Sequence, residues 1–251
     1  MTAGPAALAL KDLHLRFDQT QVIRGISLAV HAGERVGIIG PNGAGKSSLL
    51  NLISGRYAPS AGQVLLHGKR IDGQSPHAIS RLGLSRSFQV TNLFPTLSVF
   101  ENLRCSVLGS LSYRYSMWRF LTGLSAVNAR SAEVMRLVQL EARADVPAAN
   151  LSYAEQRALE IGLTVAGGAA VLLLDEPTAG MSRSETSHFT GLIRQVSVGK
   201  TLLMVEHDMG VMFDLADRIA VLVQGELLAF DTPDAVRANP RVQQAYLGGP
   251  C

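Results

Sequence analysis

Several short stretches of the chain combine residue types at spacings suited to work on a phosphate ester. The run Gly40, Pro41, Asn42, Gly43, Ala44, Gly45, Lys46, Ser47 fits the pattern Gly, four residues, Gly-Lys-Ser/Thr, and Ser48 follows it. Glycines let backbone N–H groups approach phosphate oxygens, and a helix starting at the lysine offers its positive end to the same anion. Lys46 would reach the outer phosphates of a nucleotide and the Ser47 hydroxyl would ligate Mg²⁺. A Gly-rich turn that matches by chance is the alternative. The short strand "RVGII" before the loop and an amphipathic helix after it favour the nucleotide site.

A second element is "VLLLDEP", in which an apolar strand ends in Asp175 with Glu176 beside it. Strand ends of open α/β sheets are where ligands bind, so Asp175 suits Mg²⁺, through water, and Glu176 suits a general base that polarises a water. Alone, the segment also reads as a strand followed by an acidic turn. A third is "LLMVEHD", which sets His207 just past another buried-type strand, at the same predicted edge as Asp175. Gln89, in "SRSFQV", stands where the sheet pattern gives way to a helical one, placed to report phosphate state or simply to be a solvated loop residue. In "NLSYAEQRALEIG", Ser152 and Glu155 have capping-box spacing ahead of an apolar helical run. That serine is a helix cap, a ligand contact, or both, because a hydroxyl can accept the Glu155 N–H and still donate to a phosphate oxygen.

The elements that must hold these residues follow from hydropathy. Leu13, Leu15 and Phe17 share one face of an alternating segment, and Ile26, Leu28 and Val30 share a face of the next, which predicts two half-buried strands. "QVLLHGKRI" reads as one strand, and the helix after the Gly-rich loop is stopped by Gly55. From Ser98, which repeats the capping-box spacing with Glu101, to about Ala149 the pattern is helical and reads as an inserted lobe. Strands and helices then alternate again through "AVLLLD", "RSETSHFTGLIRQV", "TLLMVE" and "DMGVMFDLA", ending in a hairpin around Gly225. Short apolar strands separated by helices imply an α/β fold with a parallel sheet covered on both faces.

Composition narrows the function classes. With 251 residues and 47% hydrophobic content, the chain can bury a large core, so disorder is not expected. A net charge of +3, evenly spread, gives no electrostatic case for nucleic acid. Cys105 and Cys251 lie far apart without ligand spacing, which suggests neither a disulfide framework nor a zinc site and fits a reducing cytosol. The opening residues lack a basic start and a sustained apolar core, so no secretory signal is expected. The longest apolar run, "VAGGAAVLLL", is about half of the roughly 20 residues that a membrane helix needs.

Taken in order, "GPNGAGKSS", Gln89, "LSYAEQ", "VLLLDEP" and His207 resemble the Walker A, Q-loop, signature, Walker B and switch-histidine motifs of the ATP-binding subunit of ABC transporters. No Asn-Lys-x-Asp motif follows the phosphate loop, which speaks against a GTPase. Within that family, "LSYAEQRALEIG", "DEPTAGMS", "VEHDM" and "NPRVQQAYLG" are similar to the ATPases of branched-chain amino-acid importers and their amide and urea relatives; lipopolysaccharide-export ATPases are similar too.

The resemblance implies a P-loop NTPase fold of RecA-like type: a parallel core sheet, an antiparallel β subdomain and an inserted α-helical lobe. One ABC ATPase domain would fill residues 1–251, with the nucleotide-binding core and β subdomain at 1–88 and about 160–251, and the helical signature lobe at about 89–159. ATP would lie between the Walker A loop of one subunit and Ser152, Ala154 and Glu155 of another, with Phe17 stacking on adenine unless it is a core residue of its strand. Mg²⁺ would take Ser47, Asp175 and Gln89, while Gln89 and His207 would sense the γ-phosphate. The implied partners are a second ATPase subunit, identical or a paralogue, the transmembrane permease subunits and, indirectly, a solute-binding protein. Nucleic acid is not among them. The implied location is peripheral, on the cytoplasmic face of the inner membrane.

Residues 89–104, including Leu93, Phe94 and Phe100, would line the groove for a coupling helix of the permease. The aromatic cluster Tyr113, Tyr115, Trp118 and Phe120 would pack inside the lobe or face a partner. Four positions depart from the common pattern, Tyr153, Ala154 and Glu155 within the signature and Ser182 after Walker B. Ala154 replaces a glycine of the Leu-Ser-Gly-Gly-Gln signature, and Ser182 stands where many relatives have Asp. The Ala154 methyl is expected to slow the site without abolishing it, and Ser182 with Glu185 also has capping-box spacing. The leading expectation is ATP hydrolysis that drives solute import. A nucleotide-gated partner of a non-identical ATPase, an export ATPase and a soluble ABC ATPase acting on DNA or ribosomes are the alternatives.

Overall fold

The computed structural model describes residues 6–87, 93–110 and 124–247. Gln89 and the aromatic cluster at 113–120 lie outside them. The chain divides into two compact units, the first comprising Met1–Arg86, Ala170–Glu176 and Gly199–Cys251, the second Ser87–Ala169 and Pro177–Val198.

The first unit holds two sheets. β1 (Ala6–Phe17), β2 (Thr20–His31), β4 (Ala61–Leu66) and β5 (Lys69–Arg70) form an antiparallel sheet in the order β2-β1-β4-β5. β3 (Arg35–Ile39), β6 (Leu84–Arg86), β7 (Val171–Asp175), β8 (Thr201–Val205), β9 (Arg218–Val223) and β10 (Glu226–Asp231) form the other, in the order β10-β9-β3-β8-β7-β6. Its pairs are parallel except β9 with β10, the hairpin expected around Gly225. All residues of β7 and β8 are buried, which is why these strands read as continuous apolar runs rather than alternating ones. α1 (Lys46–Ile53) follows β3, and α2 (Pro76–Arg81), α7 (Met209–Leu215), α8 (Pro233–Ala238) and α9 (Pro240–Leu247) complete the unit.

Three local features depart from simple hydropathy. "QVLLHGKRI" is a hairpin rather than one strand, because His67 and Gly68 both take left-handed backbone angles, φ 48° and 75°, and make a two-residue turn between β4 and β5. In β1 the buried positions switch from Leu8 and Leu10 to Leu13 and Leu15, since register irregularities around Asp12 (φ 46°) insert an extra residue. Phe17 then ends the strand 45% exposed, so it is not a core residue. α1 ends as expected, with Gly55 at φ 74° just beyond it.

The second unit contains α3 (Val99–Ser110), α4 (Ser125–Leu137), α5 (Tyr153–Ala166) and α6 (Arg183–Val196), with short 3₁₀ turns at Glu141–Arg143 and Ala148–Asn150. Ser98, Ser152 and Ser182 each accept from the N–H of the glutamate three residues on, and each glutamate carboxylate accepts from the serine's own N–H. Among the described residues no helix is long and apolar enough to cross a membrane.

Candidate functional site

The loop between β3 and α1 is shaped by backbone approach. A side chain at Gly40 would stand 2.2 Å from the Leu222 carbonyl oxygen, so only glycine fits against β9. Gly45 is the N-cap of α1 at φ 98°, and no side chain caps that helix or adds an acid to its first turn. The positive end of α1 is therefore open to an anion. Lys46 is buried, and its ammonium donates to the carbonyls of Gly40 and Pro41 at 2.7 and 3.1 Å. Burial lowers its pKa below the ordinary value, with Glu176 and Asp175 opposing that shift. A cavity of about 320 Å³ is lined by Val22, the loop from Asn42 to Ser48, Glu176 and His207.

The parallel pairing of β7 and β8 sets Asp175 opposite Val205, so the residues just beyond these strands emerge at one edge. There Glu176 Oε1 lies 2.9 Å from His207 Nε2. Glu176 itself has φ 48°, a left-handed conformation that costs a non-glycine residue about 1–2 kcal/mol, and its N–H donates to the Val205 carbonyl at 2.9 Å. His207 is half-exposed, so the pair sits between the cavity and solvent.

Asp175 is almost fully buried, and its Oδ2 accepts from Arg86 Nη2 at 2.8 Å. Arg86 Nη1 donates to Asn51 Oδ1 at 2.7 Å and Ser54 Oγ at 2.9 Å, both at the end of α1 or just past it. Burial pushes the guanidinium below its ordinary range, and the Asp175 pairing opposes this. Sequence reading missed Arg86. The available signal was an arginine closing a strand three residues before Gln89, a place from which a buried charge must reach a partner. Phe17 is not among the residues lining the cavity; its ring meets Tyr57 edge-on with centroids 5.2 Å apart. Among the described residues no cluster of three or more His, Cys, Asp or Glu could hold a metal. The Ser47 hydroxyl lines the cavity and is a hard oxygen donor of the kind Mg²⁺ takes when nucleotide oxygens and water complete its shell, whereas the Asp175 carboxylate is buried against Arg86 and does not line it.

In the second unit the capping box at Ser152 is complete, with the Glu155 carboxylate 2.8 Å from the Ser152 nitrogen. Arg143 Nε donates to the other oxygen of Glu155 at 2.7 Å. That hydrogen bond first, and the Ser152 backbone second, hold the Glu155 carboxyl below the usual range. Ala154 and Glu155 line an apolar cavity of about 330 Å³ with Leu140, Phe189 and Leu192. Ser182 caps α6 through its own capping box. Phe94 is exposed, whereas Leu93 and Phe100 are half-buried; Asn102 pins the turn before α3 by donating to the carbonyls of Phe94, Leu97 and Ser98.

Residues 23–179 match the family described as ABC transporter. The chain belongs to that family. Residues 226–250 of this cassette also match the branched-chain amino acid ATP-binding cassette transporter family. The cassette is 35% identical to the high-affinity branched-chain amino acid transport ATP-binding protein LivG of Escherichia coli strain K12, over 96% of its own length and 97% of LivG. It is also 35% identical to BraF of Pseudomonas aeruginosa, described in the same words, with the same coverage. Among solved structures, the ADP conformation of the ATP-binding cassette MJ1267 superposes with a TM-score of 0.85 over 97% of this chain and 99% of that one, at 22% identity, a likeness of fold. The P-loop NTPase fold, with its parallel core sheet, antiparallel sheet and helical segment, thus stands as the resemblance implied.

Proposed function

We propose that this cassette binds and hydrolyses ATP to power import of a branched-chain amino acid, or a related amide or urea, through a separate membrane permease. The carrying observation is the cavity in which an uncapped helix start, Lys46 and the Glu176–His207 pair face one space. The LivG and BraF relatives, named for branched-chain amino acid transport, support the choice of solute.

In this reading the N–H groups of Gly43 to Ser48 and the Lys46 ammonium bind the β- and γ-phosphates, and Phe17 stacks on the adenine. Lys46 stabilises the charge that develops as water attacks the γ-phosphate. Glu176 accepts the proton of the attacking water, and His207 Nε2 orients the Glu176 carboxylate from 2.9 Å. Mg²⁺, when bound, supplies charge neutralisation on the phosphates; Ser47, Asp175 and Gln89 would hold it. Ser152, Ala154 and Glu155 of a second subunit close the site from the far side. The second subunit is identical or a paralogue, and the pair docks on the permease from the cytoplasmic face through the segment around Phe94. A single domain carries all of this, with the core at 1–88 and about 160–251 and the signature lobe at about 89–159.

Vesicles containing the permease, this subunit and a solute-binding protein should take up labelled leucine only with ATP. Lys46→Ala should abolish that uptake. ATP-driven uptake that survives Lys46→Ala would remove the assignment of this subunit as the motor.

A further inference from the structure

Where the common signature has glycine, Tyr153 opens α5 and is 49% exposed. Its hydroxyl could bond to water, yet it donates to the Ala179 carbonyl at 2.8 Å. The ring packs beside Gly180, which has φ 79°, so that a side chain at position 180 would meet the ring at 3.5–3.7 Å. Arg157 lies over the ring, 5.7 Å from its centroid, and is held by Glu160 at 2.9 Å in a pair whose side chains are both about nine-tenths buried. Tyr153 is thereby fixed from one side by its own helix and bonded on the other to the loop that follows β7.

That loop is short and stiff. Only Pro177, whose ring fixes φ, and the buried Thr178 separate Ala179 from Glu176. The Met181 N–H closes a turn on the Thr178 carbonyl at 3.2 Å, and Ser182 then caps α6. The Tyr153 hydroxyl thus bonds the first turn of α5 to the 179 carbonyl, three residues along the chain from the left-handed Glu176 backbone.

We propose that Tyr153 is a positioning residue: its hydroxyl couples the first turn of the signature helix to the loop that carries Glu176, so the catalytic carboxylate is set by the state of that turn. The assignment rests on hydrolysis through Glu176 as proposed above. A glycine at this position has no group to make the bond, so the coupling belongs to chains with tyrosine there.

The test is Tyr153→Phe in the full-length protein, which keeps the ring and removes the donor. Amide exchange in residues 178–182, measured without nucleotide, should accelerate about two- to tenfold, as loss of one hydrogen bond predicts. The kcat for phosphate release should fall by a similar factor while KM stays within about twofold and the melting temperature stays near native. Native exchange in that loop, or a raised KM with unchanged kcat, would overturn the proposal. If the native protein itself releases no phosphate, the hydrolysis reading fails, and the exchange arm alone still decides whether Tyr153 ties the loop.

Discussion

Arg86 and Asp175 are nearly buried together, with side chains 6% and 2% exposed, and a buried ion pair costs far more to break than to replace. Arg86→Ala removes the charged partner of Asp175 and two hydrogen bonds to the end of α1, so urea denaturation should report a loss of about 3–5 kcal/mol. A loss under about 1 kcal/mol would mean that the pair does not organise this part of the core. The place of Arg86 ahead of Gln89 is visible in the sequence, but its partner is not. Only the parallel pairing of β6 with β7, with Arg86 opposite Leu173, brings its side chain to the carboxylate. The Glu176–His207 pair was nearer to legible. Both residues follow apolar strands, and adjacency of those strands suffices to put them at one edge. Their 2.9 Å contact and the left-handed backbone of Glu176 could not be read, because each depends on side-chain and backbone geometry at the strand end.

At the scale of elements, α5 is held at both ends. Arg143 grips its capping box, and the Arg130 guanidinium donates to the Val165 carbonyl at 3.1 Å in its last turn. The Ser-x-x-Glu spacing made the three capping boxes at Ser98, Ser152 and Ser182 legible, since the mechanism is local. Arg143 was not, because it acts across 12 residues through a 3₁₀ turn with no periodic signal. The β4–β5 break was missed for the opposite reason: His67 and Gly68 interrupt a run whose hydropathy looks continuous.

The direction of the Glu155 shift yields a pH prediction. Its carboxyl pKa is depressed in the folded protein, so its stabilising contribution is present above the unfolded carboxylate range and is lost as pH falls through the folded value. Glu155→Ala should therefore cost about 0.5–2 kcal/mol at pH 7. The gap between variant and native in urea unfolding should narrow steadily as pH falls below the ordinary carboxylate range. A gap that widened with acid would have the wrong sign for this carboxylate.

For the whole molecule, the fold was legible in outline, because buried parallel strands, a Gly-rich loop and a helical insert each leave a pattern in hydropathy. The division into units was less so. α6 belongs with the helices of the second unit, although in the sequence it lies between two strands of the first. Ala154 lines an apolar cavity, and Tyr153 and Ser182 are each engaged within their own unit, so the positions that depart from the common pattern have local structural work. The proposed function puts the hydrolytic centre at Glu176. The most direct test compares phosphate release by the native protein and by Glu176→Gln under saturating ATP and Mg²⁺, with bound ATP quantified in each. Turnover by the native protein, with at least a hundredfold loss in Glu176→Gln and undiminished ATP occupancy, is the predicted result. Native-rate turnover by Glu176→Gln would contradict it.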